Sequence, residues 1–186
     1  DATGKLVLPG MINAHTHAHN NLIKGVIDNV TLELFLNAGP AMYLNRTPEE
    51  QYLSALLGAV EMLKTGATGA YDLFMRLPSP TIESIEAVAR AYADAGLRAV
   101  VAPAVADLLF YECVPGLMEA FPEALRKEIE RRRPAPGPAT RAVVREGLLR
   151  YHDMAGGRVR LAVAPTIPAQ CTDEFLLGCK RLAEEF

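Results

Sequence analysis

The stretch Met11-Ile12-Asn13-Ala14-His15-Thr16-His17 runs from an apolar segment into a pair of histidines. Its first three residues have an extended, apolar pattern and predict the first core strand. The polar residues that follow predict a loop at the far end of that strand. Residues two apart on an extended chain point to the same side, so the side chains of His15 and His17 can converge on one point. His19 continues this spacing, but the chain is expected to turn before it.

Outward from this stretch, predicted strands and helices alternate along the chain. Further strands are expected at residues 67–74, 97–105 and 159–164. Thr47, Pro48 and Glu50 form a typical helix start, with a capping box and a proline in the first turn. Helical spacing of apolar residues, caps and breakers predict helices at residues 31–38 (ended by Gly39-Pro40), 48–64, 81–95, 126–133, 139–154 and from 172 onward, with short helical pieces within 106–125.

Four strand–helix repeats predict an α/β fold built from parallel βαβ units with right-handed crossovers. A doubly wound sheet and a closed barrel both satisfy this order. The first strand is not followed by a G-x-G-x-x-G motif, which counts against a dinucleotide-binding sheet. A (β/α)8 barrel typically has about 250 residues, and four units make half of one.

Composition excludes several classes of protein. The chain has 186 residues, half of them hydrophobic, and a net charge of −3, which rules out a wholly disordered chain and argues against general nucleic-acid binding. The run Arg131-Arg132-Arg133 shares its segment with glutamates and predicts a solvated helix end. Apolar runs fall short of the roughly 18 residues of a membrane span. Three cysteines without a C-x-x-C pair favour a reducing, cytoplasmic setting.

The histidine pair predicts a metal site. Neutral imidazole is a common zinc ligand, and active sites of parallel α/β barrels lie at the carboxyl ends of the strands, where His15 and His17 fall. The alternative is a polar loop with solvated histidines. Asp72, near the end of the second strand, is expected to contact substrate or orient a ligand, or else to satisfy nearby backbone groups. Gln170 could hydrogen-bond a heterocycle or amide, or simply cap the next helix. Cys171 has no histidine placed to activate it as a nucleophile.

The segment from Lys5 to His17 resembles the entry to the barrel, and its first strand, in the amidohydrolase superfamily. The resemblance is closest to the branch of cytosine deaminase and the triazine hydrolases. It continues through weaker matches at Lys24-Gly25, at residues 61–68 and at residues 164–176.

This resemblance implies a (β/α)8 TIM barrel of which residues 1–186 form the N-terminal half, without the second half and without the flanking β-sandwich. It implies one divalent metal, zinc foremost and iron as the alternative, with His15 and His17 as two of its ligands. The family's other ligands, a histidine and an aspartate, and its acid–base glutamate are expected beyond Phe186. Many relatives have a substrate-contacting histidine near the fourth strand, where this chain has Gln170 and Cys171.

The function that follows is a metal-dependent hydrolase acting on C–N bonds of a small molecule, foremost an aminohydrolase (deaminase) of a nitrogen heterocycle. A cyclic amide hydrolase is the near rival, and a non-catalytic α/β binding domain is the alternative from another class. Negligible turnover is expected from this chain alone. The first and fourth strands of half a barrel would each expose an unpaired edge, so association with another copy or with the missing half is expected.

Overall fold

A computed structural model describes the backbone of residues 1–186 and every side chain except that of Pro40. The fold is α/β, with a parallel sheet and helices packed against it. The strands are β1 (Met11–Thr16), β2 (Ala67–Asp72), β3 (Arg98–Val101), β4 (Ala104–Val105), β5 (Val159–Leu161) and β6 (Ala164–Pro165). The helices are α1 (Leu32–Tyr43), α2 (Pro48–Lys64), α3 (Ile82–Ala95), α4 (Leu117–Ala120), α5 (Glu123–Glu130), α6 (Gly137–Tyr151), α7 (Met154–Gly157) and α8 (Asp173–Ala183), and 3-10 turns lie at Ala18–Ile23, Phe110–Cys113 and Pro168–Gln170.

The main sheet has the order β1-β2-β3-β5, and all of its described pairs are parallel. Each strand of the main sheet therefore lies beside the main-sheet strand that follows it in the sequence, as in consecutive βα units. Strands β4 and β6 pair with each other just beyond the ends of β3 and β5. The third and fourth strands were each predicted as one segment, and both are interrupted here. In the third strand the interruption includes Pro103, which has no N–H to donate.

Helix α2 begins as its sequence predicts. The Thr47 side chain accepts from the Glu50 N–H, and the Glu50 carboxylate accepts from the Thr47 N–H in return. Helix α3 has the same reciprocal arrangement between Thr81 and Ser84, and it ends at Gly96 in the left-handed conformation, with φ of 76°. A residue without a Cβ adopts that conformation at little cost.

Helix α1 departs from the sequence prediction, because it continues past Gly39-Pro40 to Tyr43. The reason lies in packing around its last residue. The Tyr43 side chain is buried, and its ring stands edge-on to the His19 ring with centroids 4.9 Å apart. Tertiary contacts of this kind override a local helix breaker. The charged helix α5 and helix α6 also begin two to three residues earlier than predicted.

The core lies between the sheet and helices α2, α3, α6 and α8. Small residues let α2 and α3 approach closely, since Ala55, Ala59 and Ala91 are completely buried. Strands β3 and β5 contribute Val101 and Val159 to the same core. Among the described residues, no helix combines the length and apolar character needed to cross a membrane.

Strand β1 lies at one edge of the main sheet, and β5 lies at the other. Several apolar side chains of β1 and of the segment before it are exposed: Leu6, Val7, Leu8, Met11 and Ile12. The described part of the chain thus presents apolar surface beside the free outer edge of β1. The three cysteines are free thiols, in agreement with the absence of a disulfide pattern in the sequence.

Candidate metal centre

His15 and His17 lie together at the carboxyl end of β1, as their spacing predicts. Their Nε2 atoms are 3.1 Å apart, and their rings meet edge to face with centroids 4.8 Å apart. Two nitrogens bound to a tetrahedral zinc at 2.0–2.1 Å would be separated by about 3.3 Å. Both side chains are exposed, so a ligand can reach them. The pair therefore fits a shared divalent ion.

His17 has a defined orientation. Its Nδ1 lies 2.7 Å from the backbone carbonyl oxygen of Leu73. A carbonyl oxygen can only accept, so Nδ1 carries the proton and donates it. In the neutral ring this leaves the lone pair on Nε2, the atom that faces His15. Metal-binding histidines are commonly fixed in this way by a bond from the other ring nitrogen.

His19 does not join this pair. The chain turns into a 3-10 helix at Ala18, and the His19 side chain is buried, with its Nδ1 accepting from the Met75 N–H at 2.9 Å. The pKa of His19 is lowered to about 3, chiefly by burial, with smaller contributions from the neighbouring His17 and Arg46. His19 is therefore a neutral, structural histidine, and the expected turn before it is confirmed.

The described side chains include no group of three or more histidines, cysteines or acidic residues that could hold a metal ion. A zinc site generally has at least three protein ligands, even when it is catalytic. The centre built by these residues is therefore a two-ligand one.

Asp72 is the last residue of β2, the strand beside the histidine segment, and its side chain is completely buried. Its Oδ1 accepts from the Ala18 N–H at 2.9 Å, and its Oδ2 accepts from the Tyr92 hydroxyl at 3.0 Å. Burial raises the pKa of Asp72 to about 7, although the two hydrogen bonds act in the opposite direction. Its carboxylate thus accepts from one backbone N–H and one core hydroxyl, and a role in orienting a ligand or contacting substrate stays a prediction.

Two residues that the sequence did not single out hold the same segment from the side of α2. The Ser54 hydroxyl donates to the Ala18 carbonyl at 2.6 Å. Arg46 donates to the His19 carbonyl and also to the Ser54 oxygen. Tyr92 is a third residue that the sequence did not single out, since it lies at the helical spacing of the apolar residues of α3. Its hydroxyl was the available signal, since a buried tyrosine usually needs a hydrogen-bond partner.

Gln170 lies at the edge of a mainly apolar cavity of about 140 Å³. Met75 and Thr166, which also line this cavity, follow the ends of β2 and β6. The cavity therefore lies beyond the carboxyl ends of the strands, at the same end of the sheet as the histidines. Met75 connects the two places, because its N–H binds His19. The backbone carbonyl of Gln170 accepts from the Leu108 N–H at 3.1 Å. A substrate contact by the Gln170 side chain stays a prediction.

Other predicted features have structural roles. Arg131 and Arg132 pair with Glu128 of α5, as a solvated helix end would. Arg133 pairs with Glu130 of α5 and also with Glu112 in the 3-10 turn at Phe110–Cys113. Burial raises the pKa of Cys171 to about 11, which disfavours its thiolate at neutral pH.

The comparison with known proteins agrees with this arrangement. The model of the Amidohydrolase family matches residues 6–186. The chain belongs to the amidohydrolase family. The predicted membership is thereby confirmed at the level of the family, and the fold is that of four consecutive βα units of its barrel.

Curated amidohydrolase relatives match the whole chain. The 5'-deoxyadenosine deaminase of Methanothermobacter thermautotrophicus is 32% identical over 187 residues, which cover 100% of this chain and 36% of that protein. The 5-methylthioadenosine/S-adenosylhomocysteine deaminase of Symbiobacterium thermophilum is 31% identical, with the same coverage. The chain therefore spans a little over a third of the length of these relatives.

Solved structures share the fold. A zinc-bound adenosine deaminase from Xanthomonas campestris superposes with a TM-score of 0.70 at 23% identity, covering 95% of this chain and 34% of that one. The atrazine chlorohydrolase of Arthrobacter aurescens, complexed with zinc, has a TM-score of 0.73 at 21% identity, covering 96% of this chain and 39% of that one. The matching part of each of these longer proteins thus has the same fold as this chain.

Proposed function

We propose that residues 1–186 form the metal-binding part of a deaminase-type amidohydrolase that hydrolyses an amino group from a nitrogen heterocycle. The observation that carries this proposal is the 3.1 Å approach of the two Nε2 atoms of His15 and His17 at the carboxyl end of the first strand. The names of these two relatives, which match the whole of this chain, favour an adenosine derivative altered at its 5' position as the substrate. Within the family, we retain the branch of cytosine deaminase and the triazine hydrolases as the finer assignment.

His15 and His17 would hold the divalent metal, for which zinc is the leading candidate and iron the alternative. Such an ion, when bound, lowers the pKa of water and supplies a nucleophile at neutral pH. The chain's own contribution is orientation. The Nδ1–H of His17 donates to the Leu73 carbonyl, and the other ring nitrogen faces His15. The neighbouring cavity, with Gln170 at its edge, offers an apolar surface for a heterocycle and a polar group to orient it.

Two histidines leave a zinc ion short of protein ligands, and acid–base catalysis needs a further group near the reacting atoms. We therefore expect negligible turnover from residues 1–186 alone. An intact protein that carries these residues is expected to release ammonia from 5'-deoxyadenosine. Hydrolysis of a cyclic amide, without ammonia release from nucleosides, would support the rival hydrolase instead.

Zinc titration against a chromophoric chelator tests the metal site directly. We expect the unmodified chain to bind zinc and the His15→Ala, His17→Ala double variant to bind at least tenfold more weakly. His152→Ala is the matched control, because His152 lies at the end of α6 and bonds to the backbone of Leu161. Equal zinc binding by the unmodified chain and the double variant would contradict the proposal and favour a non-catalytic binding domain.

A further inference from the structure

A buried hydrogen-bonded pair lies beneath the exposed histidines. Asp72 and Tyr92 are both completely buried, and the Tyr92 hydroxyl donates to Asp72 Oδ2 at 3.0 Å. The other carboxylate oxygen accepts from the N–H of Ala18, the residue directly after His17. Neither side chain reaches the surface, so neither can touch a substrate in this arrangement.

We propose that Asp72 and Tyr92 are positioning residues, which hold His17 in the tautomer and orientation that its role as a metal ligand requires. This inference rests on the proposed function and deepens it. Of the roles expected for Asp72 from its place at a strand end, it assigns the orientation of a ligand and not contact with the substrate.

The backbone around Asp72 explains how the effect reaches His17. Asp72 precedes Leu73, whose carbonyl accepts from His17 Nδ1 at 2.7 Å and whose N–H donates to the Thr16 carbonyl at 2.9 Å. The Asp72 side chain fixes Ala18 on the other side of His17. The residues before and after His17 are thus both tied to the same end of β2. This double attachment sets the distance between the His17 ring and the Leu73 carbonyl.

Tyr92 completes the attachment by satisfying the second oxygen of Asp72. A buried carboxylate oxygen without a partner is costly, and a loss of the Tyr92 hydroxyl would favour rotation of the carboxylate or entry of water. Either change weakens the bond to Ala18. Tyr92 comes from α3, which is anchored in the core between α2 and the sheet. The histidine segment is thereby connected to the rigid part of the molecule.

The tautomer of His17 gives a direct test that needs no metal. Long-range ¹H–¹⁵N spectra of the imidazole rings distinguish an Nδ1–H from an Nε2–H tautomer. We expect His17 of the unmodified, metal-free chain to be the Nδ1–H form. In Tyr92→Phe and Asp72→Ala we expect a shift toward the mixture of a free imidazole. Asp72→Asn should preserve the tautomer, because its amide oxygen can still accept from Ala18.

Zinc affinity supplies the second measurement. Loss of a group that orients a metal ligand typically weakens binding 10- to 100-fold, and we expect this range for Tyr92→Phe. Tyr52→Phe is the matched control, since the hydroxyl of the half-buried Tyr52 on α2 also donates to an aspartate, Asp94. It should change neither the His17 tautomer nor the zinc affinity. Tyr92→Phe keeps the ring in the core and therefore remains informative if Asp72→Ala does not fold.

The outcomes separate this inference from the proposed function. A folded Tyr92→Phe variant that retains both the Nδ1–H tautomer and unchanged zinc affinity would overturn the positioning role. If the unmodified chain binds no zinc at His15 and His17, the proposed function fails. In that case a tautomer shift in Tyr92→Phe would still support the control of His17 by Asp72 and Tyr92.

Discussion

Among the individual residues, Asp72 has the most unusual surroundings. It is a carboxyl group with no exposed surface, placed between a backbone N–H and a tyrosine hydroxyl. Both bonds favour the charged form, whereas removal from water favours the neutral form. Burial is the larger influence and raises the pKa from 3.8 to about 7.

This raised pKa leads to a pH dependence of stability. The folded carboxyl holds its proton more tightly than the unfolded one, so its contribution to the free energy of unfolding is full below pH 3.8 and is lost as the pH rises through about 7. Asp72→Asn cannot titrate but keeps an acceptor for Ala18. We expect urea unfolding to show a stability difference, unmodified chain minus variant, that is smaller at pH 8 than at pH 5. Parallel pH profiles of the two proteins would contradict this expectation.

The sequence could indicate the histidine pair but not the residues that hold the histidines in place. The i, i+2 spacing on an extended strand is a local property, so the convergence of His15 and His17 followed from their order in the chain. The meeting of Asp72 with Tyr92, 20 residues away, depends on the packing of α3 against the end of β2. Burial of His19 likewise depends on α1 and Met75. Such facts are set by tertiary structure and have no local pattern.

Among the helices, α2 shows most clearly how local sequence specifies an element. Its reciprocal bonds between Thr47 and Glu50 satisfy two donors that a helix start would otherwise leave unpaired. We expect Thr47→Ala to lower the free energy of unfolding by about 1 kcal/mol, measured by urea denaturation. Glu49→Gln, in the same turn but outside the reciprocal pair, should cost far less. Equal effects of the two changes would show that the capping bonds contribute little.

The positions of the four strand–helix units could be predicted, because their apolar runs and caps are local. Helix ends and strand interruptions were harder. Helix α1 passes a glycine–proline step because Tyr43 packs against His19. The third strand divides near Pro103, yet Ala102 and Ala104 still donate to the carbonyls of Asp72 and Phe74. A sequence pattern does not contain these longer-range bonds.

For the molecule as a whole, the edge at β1 is the prominent surface. Leu6 is 83% exposed, and both Val7 and Ile12 are 76% exposed, although all three are apolar. In the described chain β1 pairs with β2 alone, so its other side offers free backbone donors and acceptors. We propose that two copies associate through this edge when no other partner covers it.

Light scattering at increasing protein concentration tests this association. We expect the average mass to rise above the 20.2 kDa of one chain, and Ile12→Lys to reduce the rise, because a charge on an edge strand opposes pairing. Leu149→Lys is the control, since Leu149 is 61% exposed on α6, which packs against β5 at the opposite edge of the sheet from β1. A single-chain mass at all concentrations, with a cooperative thermal transition, would exclude the association.

The contacts that orient His17 have a consequence for biosynthesis. Thr16, Ala18, Leu73, Asp72 and Tyr92 all precede β3 in the chain. All of these residues are therefore synthesised before α6 and α8. Proteins generally begin to fold from the N-terminal side during translation. The nascent polypeptide can thus form the contacts around the two proposed metal ligands while later parts of the chain are still being made.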